Sequence, residues 1–293
     1  MLLPLPYRVR MSEEDSSKQG TPELPQPDVA WARVERARHP KRPNPMDFIR
    51  GIFTDFSEIH GDRAFGDDEA VACGMARLNA QEVMVIAVRK GGSLKQRIRR
   101  NFGMPSPEGY RKALRCMRIA EKFRRPVICV IDLVGAYPGP RSEERGQGEA
   151  IARNIIAMCR LSVPTISVIT GEGGSGGALA LAVADRVLLL ENALYFVAPP
   201  EFCASLTWRD PSQKQLAAAA MRVSAHEVAE VNCVDAVVPE PAGGAQADAA
   251  GAVAMLAEAL GKHLAELNAK PLDGLLASRL KKFRNIGQFY TED

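Results

Sequence analysis

Two glycine-rich segments of the chain could bind an anion through their backbone amides. They are GAYPG at residues 135–139 and GEGGSGGA at residues 171–178, and each follows an apolar run that is typical of a strand. Ligands of open α/β sheets lie at the carboxyl ends of strands, and glycine lets backbone amides approach an anion without an intervening side chain. Amides near Gly176 and Gly177 would stand at a helix N-terminus, where the helix dipole adds to hydrogen bonding. The alternative is a pair of tight turns in which glycine only satisfies a positive φ or close packing.

Ser175 offers a second interpretation, that of a nucleophile between a strand and a helix. Residues 173–177 fit the pattern G-x-S-x-G. Possible downstream partners for a Ser-Asp-His order are Asp210, Asp235, His226 and His263. Four glycines in five residues match this short pattern easily, however. Neither G-x-x-x-x-G-K-[ST] nor G-x-G-x-x-G stands in a suitable context, so no loop for a nucleoside triphosphate or a dinucleotide is indicated.

Residues 89–100 (RKGGSLKQRIRR) carry six basic side chains and no acidic one. Such a run could contact a nucleotide phosphate or an acidic partner protein, or it could be a solvated face. No aromatic residues are interleaved with the basic side chains, so stacking on the bases of a nucleic acid is not indicated.

The composition of the chain excludes several classes of protein. Its 293 residues are 46% apolar and 25% charged with a net charge of +3, which is ordinary for a globular protein and too balanced to indicate a nucleic-acid or membrane partner. No run reaches the roughly 18 to 20 apolar residues of a membrane span. The six cysteines form no C-x-x-C pair, so no zinc ribbon is encoded. The N-terminal residues lack a secretory pattern, and we expect a cytoplasmic protein.

The elements that would position these segments begin after a predicted flexible arm at residues 1–28. Eight of the 20 prolines fall in the first 45 residues, among polar side chains. Asn44 and Pro45 then predict a helix start, with Asn44 as the cap. Apolar residues follow at helical spacing: Phe48, Ile49, Ile52, Phe53, Phe56 and Ile59.

From residue 71 onward, short apolar runs alternate with helical stretches. The runs span residues 83–88, 127–131, 165–170, 186–190, 194–198 and 234–238. The predicted helices span residues 106–123, 143–161, 176–184, 214–221 and 247–267. This rhythm predicts a largely parallel sheet with helices outside it, in a single domain at residues 29–293.

Longer blocks of the chain resemble one family, the α subunit of bacterial acetyl-CoA carboxylase carboxyltransferase, in the crotonase superfamily. The matching blocks are ARHP with RP (37–43), HGDRAF with DD (60–68), IRRNFGM with PEGYRKA (98–113), GAYPG (135–139), EERGQ with EAIARN (143–154), GEGGSGGALA (171–180), CAS (203–205) and PEP with GGA (239–245). The resemblance covers about residues 36–260, with the blocks in the same order and spacing. It is far more specific than any single glycine motif.

The resemblance implies an α/β fold of the ClpP/crotonase type, a spiral of ββα units with outer helices. It implies a carboxyltransferase β subunit of the same fold as partner, in an α2β2 heterotetramer whose active site lies between the two subunits. The implied reaction moves the carboxyl group of carboxybiotin, held on a biotin carboxyl carrier protein, to acetyl-CoA and gives malonyl-CoA. A biotin carboxylase belongs to the wider complex. The family's zinc ribbon lies in the β subunit, so we expect no metal in this chain.

The resemblance also implies roles for the residues of the two glycine segments. Negative charge develops on the ureido oxygen of biotin and on the enolate oxygen of the thioester, and each must be stabilised as it forms. The α subunit is expected to supply the biotin-side oxyanion hole, with biotin itself as the base. The backbone amides expected to form this hole are those of Gly135, Ala136, Gly176 and Gly177. The residues expected to contact biotin are Gly173, Gly174, Ser175, Tyr137 and Phe202.

Two departures from the family pattern bear on this prediction. The family's D-T-P-G-A-Y-P-G has Leu133 and Val134 here, and losing the proline restores an amide donor before Gly135. The family's S-P-E-G-C-A-S has Pro199 and Phe202, and the phenyl ring either narrows the cleft or fills the core. These changes suggest a divergent paralogue. The alternatives to transfer onto acetyl-CoA are a carboxyltransferase for another acyl thioester, a malonyl-thioester decarboxylase and a non-catalytic scaffold subunit.

Overall fold

The computed structural model describes residues 24–286 of the chain. The strands are β1 (Thr54–Ile59), β2 (Val71–Leu78), β3 (Gln81–Val88), β4 (Val127–Leu133), β5 (Thr165–Gly174), β6 (Arg186–Leu190), β7 (Leu194–Phe196) and β8 (Ala236–Val238). The helices are α1 (Pro27–Ala37), α2 (Pro45–Ile52), α3 (Leu94–Arg99), α4 (Pro107–Lys122), α5 (Pro140–Glu144), α6 (Gln147–Arg160), α7 (Ser175–Ala182), α8 (Pro200–Trp208), α9 (Lys214–Met221), α10 (Ala225–Glu230), α11 (Ala249–Asn268) and α12 (Leu272–Arg284). Two 3₁₀ turns lie at Asn101–Gly103 and Pro211–Gln213.

The predicted arm falls mostly on residues 1–23, which lie outside the described residues. Helix α1 begins at Pro27, before the predicted end of the arm at residue 28. Its buried residues Ala30, Val34 and Ala37 pack in a small cluster with residues of β7 and α9. Within residues 24–286, no helix combines the length and the apolarity that crossing a membrane requires.

The strands form one mixed sheet in the order β1-β2-β3-β4-β5-β6-β8, with β7 paired to β5. Strands β1, β2 and β3 are antiparallel neighbours, whereas β3 to β6 and β8 run parallel. The prediction of a largely parallel sheet with outer helices is therefore confirmed for the part that follows β3. The sequence analysis did not predict β1 and β2.

The prediction of one helix from Asn44 through Ile59 is wrong in its second half. Asn44 does cap α2, since its side chain accepts from the Met46 amide at 2.9 Å and its own amide donates to Asp47. The helix ends at Ile52, and the chain then enters β1, which pairs with β2 at the edge of the sheet. Helical spacing of the apolar residues could not reveal a hydrogen-bonding partner that lies farther along the chain.

Other predicted boundaries shift where glycine changes the backbone. The predicted helix 143–161 is interrupted at Gly146, whose φ of +79° separates α5 from α6. The predicted strand 165–170 continues through Gly174, so half of the second glycine segment is strand, and α7 begins at Ser175. Strands β7 and β8 lie where strands were predicted but are only three residues long each.

Neighbouring strands β4 and β5 place the two glycine segments at one edge of the sheet. The strands run parallel and in register from Val127 opposite Thr165 to Ile131 opposite Ile169, and after a register shift Leu133 lies opposite Gly173. Both are buried along almost their whole length, as expected for strands with helices on both faces. Their carboxyl ends therefore lie side by side, and the loops that follow them meet there.

Candidate functional site

The two glycine segments lie in direct backbone contact. A Cβ atom added to Gly174 would lie 1.7 Å from the carbonyl oxygen of Val134, and one added to Gly177 would lie 2.6 Å from the amide nitrogen of Ala136. No side chain fits at either position, because the neighbouring atoms belong to the backbone. The prediction that the segments meet at one sheet edge agrees with this geometry, and these two glycines serve close packing.

Two other glycines border open space. A Cβ atom added to Gly135 would meet no atom within 4 Å, and one added to Gly176 would have only Ile151 Cγ2, at 3.7 Å. Of the three glycines among the predicted donors, Gly177 therefore serves close packing, whereas Gly135 and Gly176 border accessible space. The absence of side chains at Gly135 and Gly176 leaves the neighbouring amides open to a ligand.

The amino end of α7 carries amides suited to binding an anion. The first amides of an α-helix have no intrahelical acceptor, and here the N-cap is Gly174, which supplies no side-chain acceptor. Ser175 opens the helix with a φ of +56°, in the left-handed region that non-glycine residues rarely occupy. In the described part of the chain, the amides of Gly135 and Ala136 also make no backbone hydrogen bond. Donors from both segments are thus available at one place.

Tyr137 fixes the first glycine segment to the body of the protein. Its amide donates to the carbonyl oxygen of Pro105 at 3.0 Å, and its own carbonyl accepts from Gln147 Nε2 at 3.0 Å. The buried Gln147 amide also donates to the Pro105 carbonyl at 2.8 Å. The Tyr137 ring lies against Gly139, where a Cβ would be 2.4 Å from a ring carbon. Tyr137, predicted to contact biotin, therefore also holds the loop in place.

A buried ionic cluster lies directly beneath the two segments. Lys90 Nζ lies 2.8 Å from Asp132 Oδ1 and 3.0 Å from Glu172 Oε2. The Glu172 amide donates to Asp132 Oδ1 at 2.9 Å, and Arg38 Nε donates to Glu172 Oε1 at 2.7 Å. The cluster joins the ends of β3, β4 and β5 and the helix α1. Its side chains pair with one another, and these contacts position the loops.

The charges of this cluster hold one another in the ionised state. Burial would lower the pKa of Lys90, but the charges of Asp132 and Glu172 outweigh it and raise the pKa above its usual value. Burial would likewise raise the pKa of Glu172, but Lys90 and Arg38 outweigh it and lower the pKa. The sequence analysis missed this cluster. The available signal was an acidic residue at the end of each of two apolar runs: Asp132 directly follows residues 127–131, and Glu172 follows residues 165–170 after Gly171.

A second ion pair holds the start of the second glycine segment from the other side. Arg42 Nε donates to the carbonyl oxygen of Thr170 at 2.7 Å, and its guanidinium forms a bidentate pair with Glu240. Burial would raise the pKa of Glu240, but the bonds from Arg42 outweigh it and lower the pKa. These residues belong to the blocks RP and PEP, so both blocks support the strand that carries the site.

Tyr110 is buried under the same loops, and its hydroxyl has no hydrogen-bond partner among the described residues. Burial, with a smaller contribution from the charge of Asp68, raises the pKa of this hydroxyl above its usual value. The oxygen would lie 2.8 Å from a Cβ atom added to Gly177. The packing around Gly177 therefore leaves no room for a side chain on the side of Tyr110 either.

The structure does not assemble a serine nucleophile. Ser175 is exposed, and among the described residues it forms no hydrogen bond with a histidine or a carboxylate. Asp235 accepts from the Val187 amide and from Lys282 Nζ, each at 2.7 Å. It precedes β8, so it lies at the amino end of the parallel strands, opposite the glycine segments. Asp210 caps the 3₁₀ turn after α8.

Phe202 lies on α8 and 55% of its side chain is exposed, so it does not fill the core. The preceding strand β7 pairs with Gly173 and Gly174, which places the start of α8 beside the second glycine segment. Pro199 is the N-cap of this helix. Before the first glycine segment, Leu133 at the end of β4 is buried and faces Gly173 across the strand pair.

No group of three or more histidine, cysteine or acidic side chains suited to a metal occurs within residues 24–286. Three of the six cysteines, Cys73, Cys116 and Cys129, are buried in the main core.

Comparison with known proteins gives a consistent result. A family model described as acetyl co-enzyme A carboxylase carboxyltransferase-like matches residues 14–287. Acetyl-coenzyme A carboxylase carboxyl transferase subunit alpha of Halalkalibacterium halodurans is 51% identical over 259 residues, which cover 88% of this chain and 80% of that protein. The protein of the same name from Clostridium beijerinckii is 50% identical over 260 residues, which cover 89% of this chain and 96% of that protein.

Solved structures share the fold at lower identity. Transcarboxylase 12S has a TM-score of 0.65 at 19% identity, covering 85% of this chain and 46% of that chain. The Pseudomonas aeruginosa geranyl-CoA carboxylase beta subunit has a TM-score of 0.58 at 17% identity, covering 88% of this chain and 49% of that chain. A Pseudomonas malonate decarboxylase hetero-tetramer in complex with coenzyme A has a TM-score of 0.60 at 20% identity, covering 74% of this chain and 86% of that chain. The crotonase-like α/β fold expected from the sequence is confirmed.

Proposed function

The chain belongs to the acetyl-CoA carboxylase carboxyltransferase family, and we propose that it is the α subunit of a biotin-dependent carboxyltransferase that forms malonyl-CoA. Carboxybiotin, held on a carrier protein, supplies the carboxyl group, and acetyl-CoA accepts it at its α-carbon. A β subunit completes the active site. The observation that carries this function is the family match, and the meeting of two amide-bearing segments at one sheet edge supports it.

The proposed role of the two segments is to stabilise the negative charge on the ureido oxygen of biotin. Amides of Gly135, Ala136, Gly176 and Gly177 donate to this oxygen, and the N-terminus of α7 adds its dipole. Neutral amides are the donors expected here, because an acidic side chain would repel the developing charge. The space beside Gly135 and Gly176 fits a flat ligand that approaches the backbone closely. Removal of one oxyanion-hole donor typically costs about 10²- to 10³-fold in kcat.

The partner that this function requires is a β subunit that provides the oxyanion hole for the thioester enolate and most of the CoA contacts, in an α2β2 complex. Exposed apolar side chains beside the second glycine segment support a protein partner at this place. Val197, Phe202 and Leu206 are 82%, 55% and 67% exposed, respectively. A cluster of exposed large apolar side chains marks an interaction site more often than a solvated surface.

Reverse carboxyl transfer tests the proposal most directly. Malonyl-CoA and free biotin would be incubated with this chain alone, with the β subunit of the same organism alone, and with both together. We expect acetyl-CoA to form only with both subunits, because each provides half of the site. Transfer by this chain alone, or no transfer with a β subunit that binds it, would refute the proposal. Release of CO2 from malonyl-CoA without biotin would instead support the decarboxylase alternative.

A further inference from the structure

The segment of residues 91–104, here called the rim segment, is anchored at the candidate site at both ends. Directly before it, Lys90 contacts Asp132 and Glu172 beneath the glycine segments. Directly after it, the Pro105 carbonyl accepts from the amide of Tyr137 and from Gln147. The rim segment therefore lies at the edge of the candidate site.

The rim segment exposes apolar side chains that no other part of residues 24–286 covers. Helix α3 has no buried residue, and Leu94 and Ile98 are 68% and 58% exposed. They are four residues apart and so share one face of the helix. Phe102 follows in the 3₁₀ turn and is 51% exposed. Three large apolar residues exposed within nine positions are unusual for a surface that only meets water.

The backbone after α3 is strained. Asn101, Phe102 and Gly103 have φ values of 47°, 57° and 84°, all in the left-handed region. A non-glycine residue in this region costs on the order of 1 to 3 kcal/mol, and such strain clusters at functional sites. The turn packs closely on Lys90, since a Cβ atom added to Gly103 would lie 2.5 Å from Lys90 Cγ. The exposure of Phe102 is thus fixed by the fold.

The charges of this region are positive and only partly compensated. Arg89 pairs with Glu58, Arg99 pairs with Glu69, and Lys90 belongs to the ionic cluster. The remaining three bases, Lys95, Arg97 and Arg100, have no carboxylate within 4.0 Å in the part of the chain that the structure describes. Burial lowers the pKa of Arg100, and the charges of Arg89 and Arg99 lower it further. The rim segment therefore presents a positive field around an apolar stripe.

We propose that the rim segment is the docking surface for the biotin carrier domain, which it contacts through an acidic face with apolar residues. This inference rests on the proposed function, because that function requires a carrier to bring its biotin to the glycine segments. A carrier that reaches them must touch the rim, which is continuous with the site at Lys90 and Pro105. The three free bases favour an acidic partner by charge complementarity. The exposed Leu94, Ile98 and Phe102 favour a protein surface over the phosphates of CoA alone.

The experiment uses the complete complex of α and β subunits with two substrates, the biotinylated carrier domain and free biotin. One variant reverses charge, Lys95→Glu with Arg97→Glu, and a second removes the apolar stripe, Leu94→Ser with Ile98→Ser. We expect each to raise the KM for the carrier about tenfold or more while kcat and the KM for free biotin stay within twofold, since only docking is lost. The wild-type KM for the carrier should rise with salt, and the charge-reversed variant should lose much of that dependence.

A matched control reverses two other exposed bases, Arg118→Glu with Lys122→Glu, near the end of α4. That end leads into the start of β4, so these bases lie toward the opposite edge of the sheet from the glycine segments. This variant should leave both KM values unchanged. Binding of the fluorescently labelled carrier to the complex, measured by anisotropy, tests docking even if no transfer is seen. In that measurement the rim variants should weaken binding about tenfold.

Several outcomes would overturn the inference. Unchanged carrier binding and KM in both rim variants would show that the carrier docks elsewhere. A raised KM for malonyl-CoA with an unchanged KM for the carrier would assign the bases to CoA. Equal losses with carrier and free biotin would mean that the rim only shapes the site. A wild-type complex that transfers to neither substrate would refute the proposed function, and the binding measurement would still decide the rim.

Discussion

Gly177 offers the sharpest test of the two-segment site. In Gly177→Ala the new methyl group would lie 2.6 Å from the Ala136 amide nitrogen and 2.9 Å from the Gly135 carbonyl carbon. Ordinary contact begins at 3.4 Å, so one segment must move away from the other by about 0.8 Å. A misplacement of about 1 Å at a reacting centre costs on the order of 10²-fold. We therefore expect kcat for carboxyl transfer to fall by about 30- to 100-fold, or roughly 2 to 3 kcal/mol in barrier height.

The assay is reverse transfer from malonyl-CoA to free biotin with the assembled complex. The KM for malonyl-CoA should stay within about twofold, because the proposed function assigns the thioester contacts to the β subunit. The control is Gly261→Ala on α11, where the nearest atom to the added methyl would be Asn79 Nδ2, at 3.5 Å. This control should keep full activity and gain slightly in stability, by about 0.5 to 1 kcal/mol.

Two results would refute the reasoning about Gly177. The first is a folded Gly177→Ala variant with kcat within twofold of wild type, which would mean that the spacing of the segments does not matter. The second involves Tyr110, whose hydroxyl oxygen would lie 2.8 Å from the new methyl. If the added substitution Tyr110→Phe restored full kcat, the clash would be with this hydroxyl and not with the first glycine segment.

Three further predictions follow from the buried charges. In Lys90→Met, the loss of the cation beside Glu172 should let the two glycine segments separate and lower kcat about tenfold, and Lys90→Arg should recover part of this loss. An unchanged kcat in the methionine variant would contradict this. In Arg279→Met, breaking the buried ion pair with Asp185 should lower the free energy of unfolding by about 3 to 5 kcal/mol and the Tm by roughly 5 to 15 °C. A fall in Tm of less than about 1 °C would contradict this. Burial would raise the pKa of Asp62, but backbone amides and an arginine outweigh it and lower the pKa to about 2. The difference in unfolding free energy between wild type and Asp62→Asn should therefore be full above about pH 4 and disappear as the pH falls toward 2. A difference that stays constant in urea unfolding across this range would contradict the prediction.

The carboxylate of Asp62 shows why the pH prediction takes this direction. It accepts from the amides of Ala64, Phe65 and Gly66 at 2.8 to 2.9 Å and from Arg111 Nε at 2.7 Å. All four donors favour the ionised form, so the folded state binds its proton less tightly than the unfolded chain. Stability from this group is therefore present above the unfolded pKa of 3.8 and is lost as the pH falls through about 2.

Local patterns in the sequence were sufficient for the elements that carry the site. The apolar runs that became β4, β5 and β6 were predicted because strands buried on both faces are continuous apolar stretches. Helix α9 has the predicted limits, and α4 differs from its prediction by one residue at each end. The topology rule for parallel sheets then placed both glycine segments at one edge, without knowledge of the contacts there.

Other features were decided only by tertiary structure. The helical spacing of Phe56 and Ile59 predicted a helix, but pairing with β2 made this segment a strand. The ionic cluster joins Arg38, Lys90, Asp132 and Glu172, whose separations of 40 to 134 residues leave no local pattern. The exposure of Phe202 was open for the same reason.

The sequence by itself determined the family, the order of the main strands and helices, and which glycines could carry the chemistry, because these depend on short-range periodicity and on long matching blocks. Only the folded chain decided that Gly174 and Gly177 serve contact while Gly135 and Gly176 border space. It also decided which basic side chains of the rim segment have no carboxylate partner among residues 24–286. Packing, pairing and the strength of buried charges are interactions between segments that are distant in sequence, and these form only when the chain has folded.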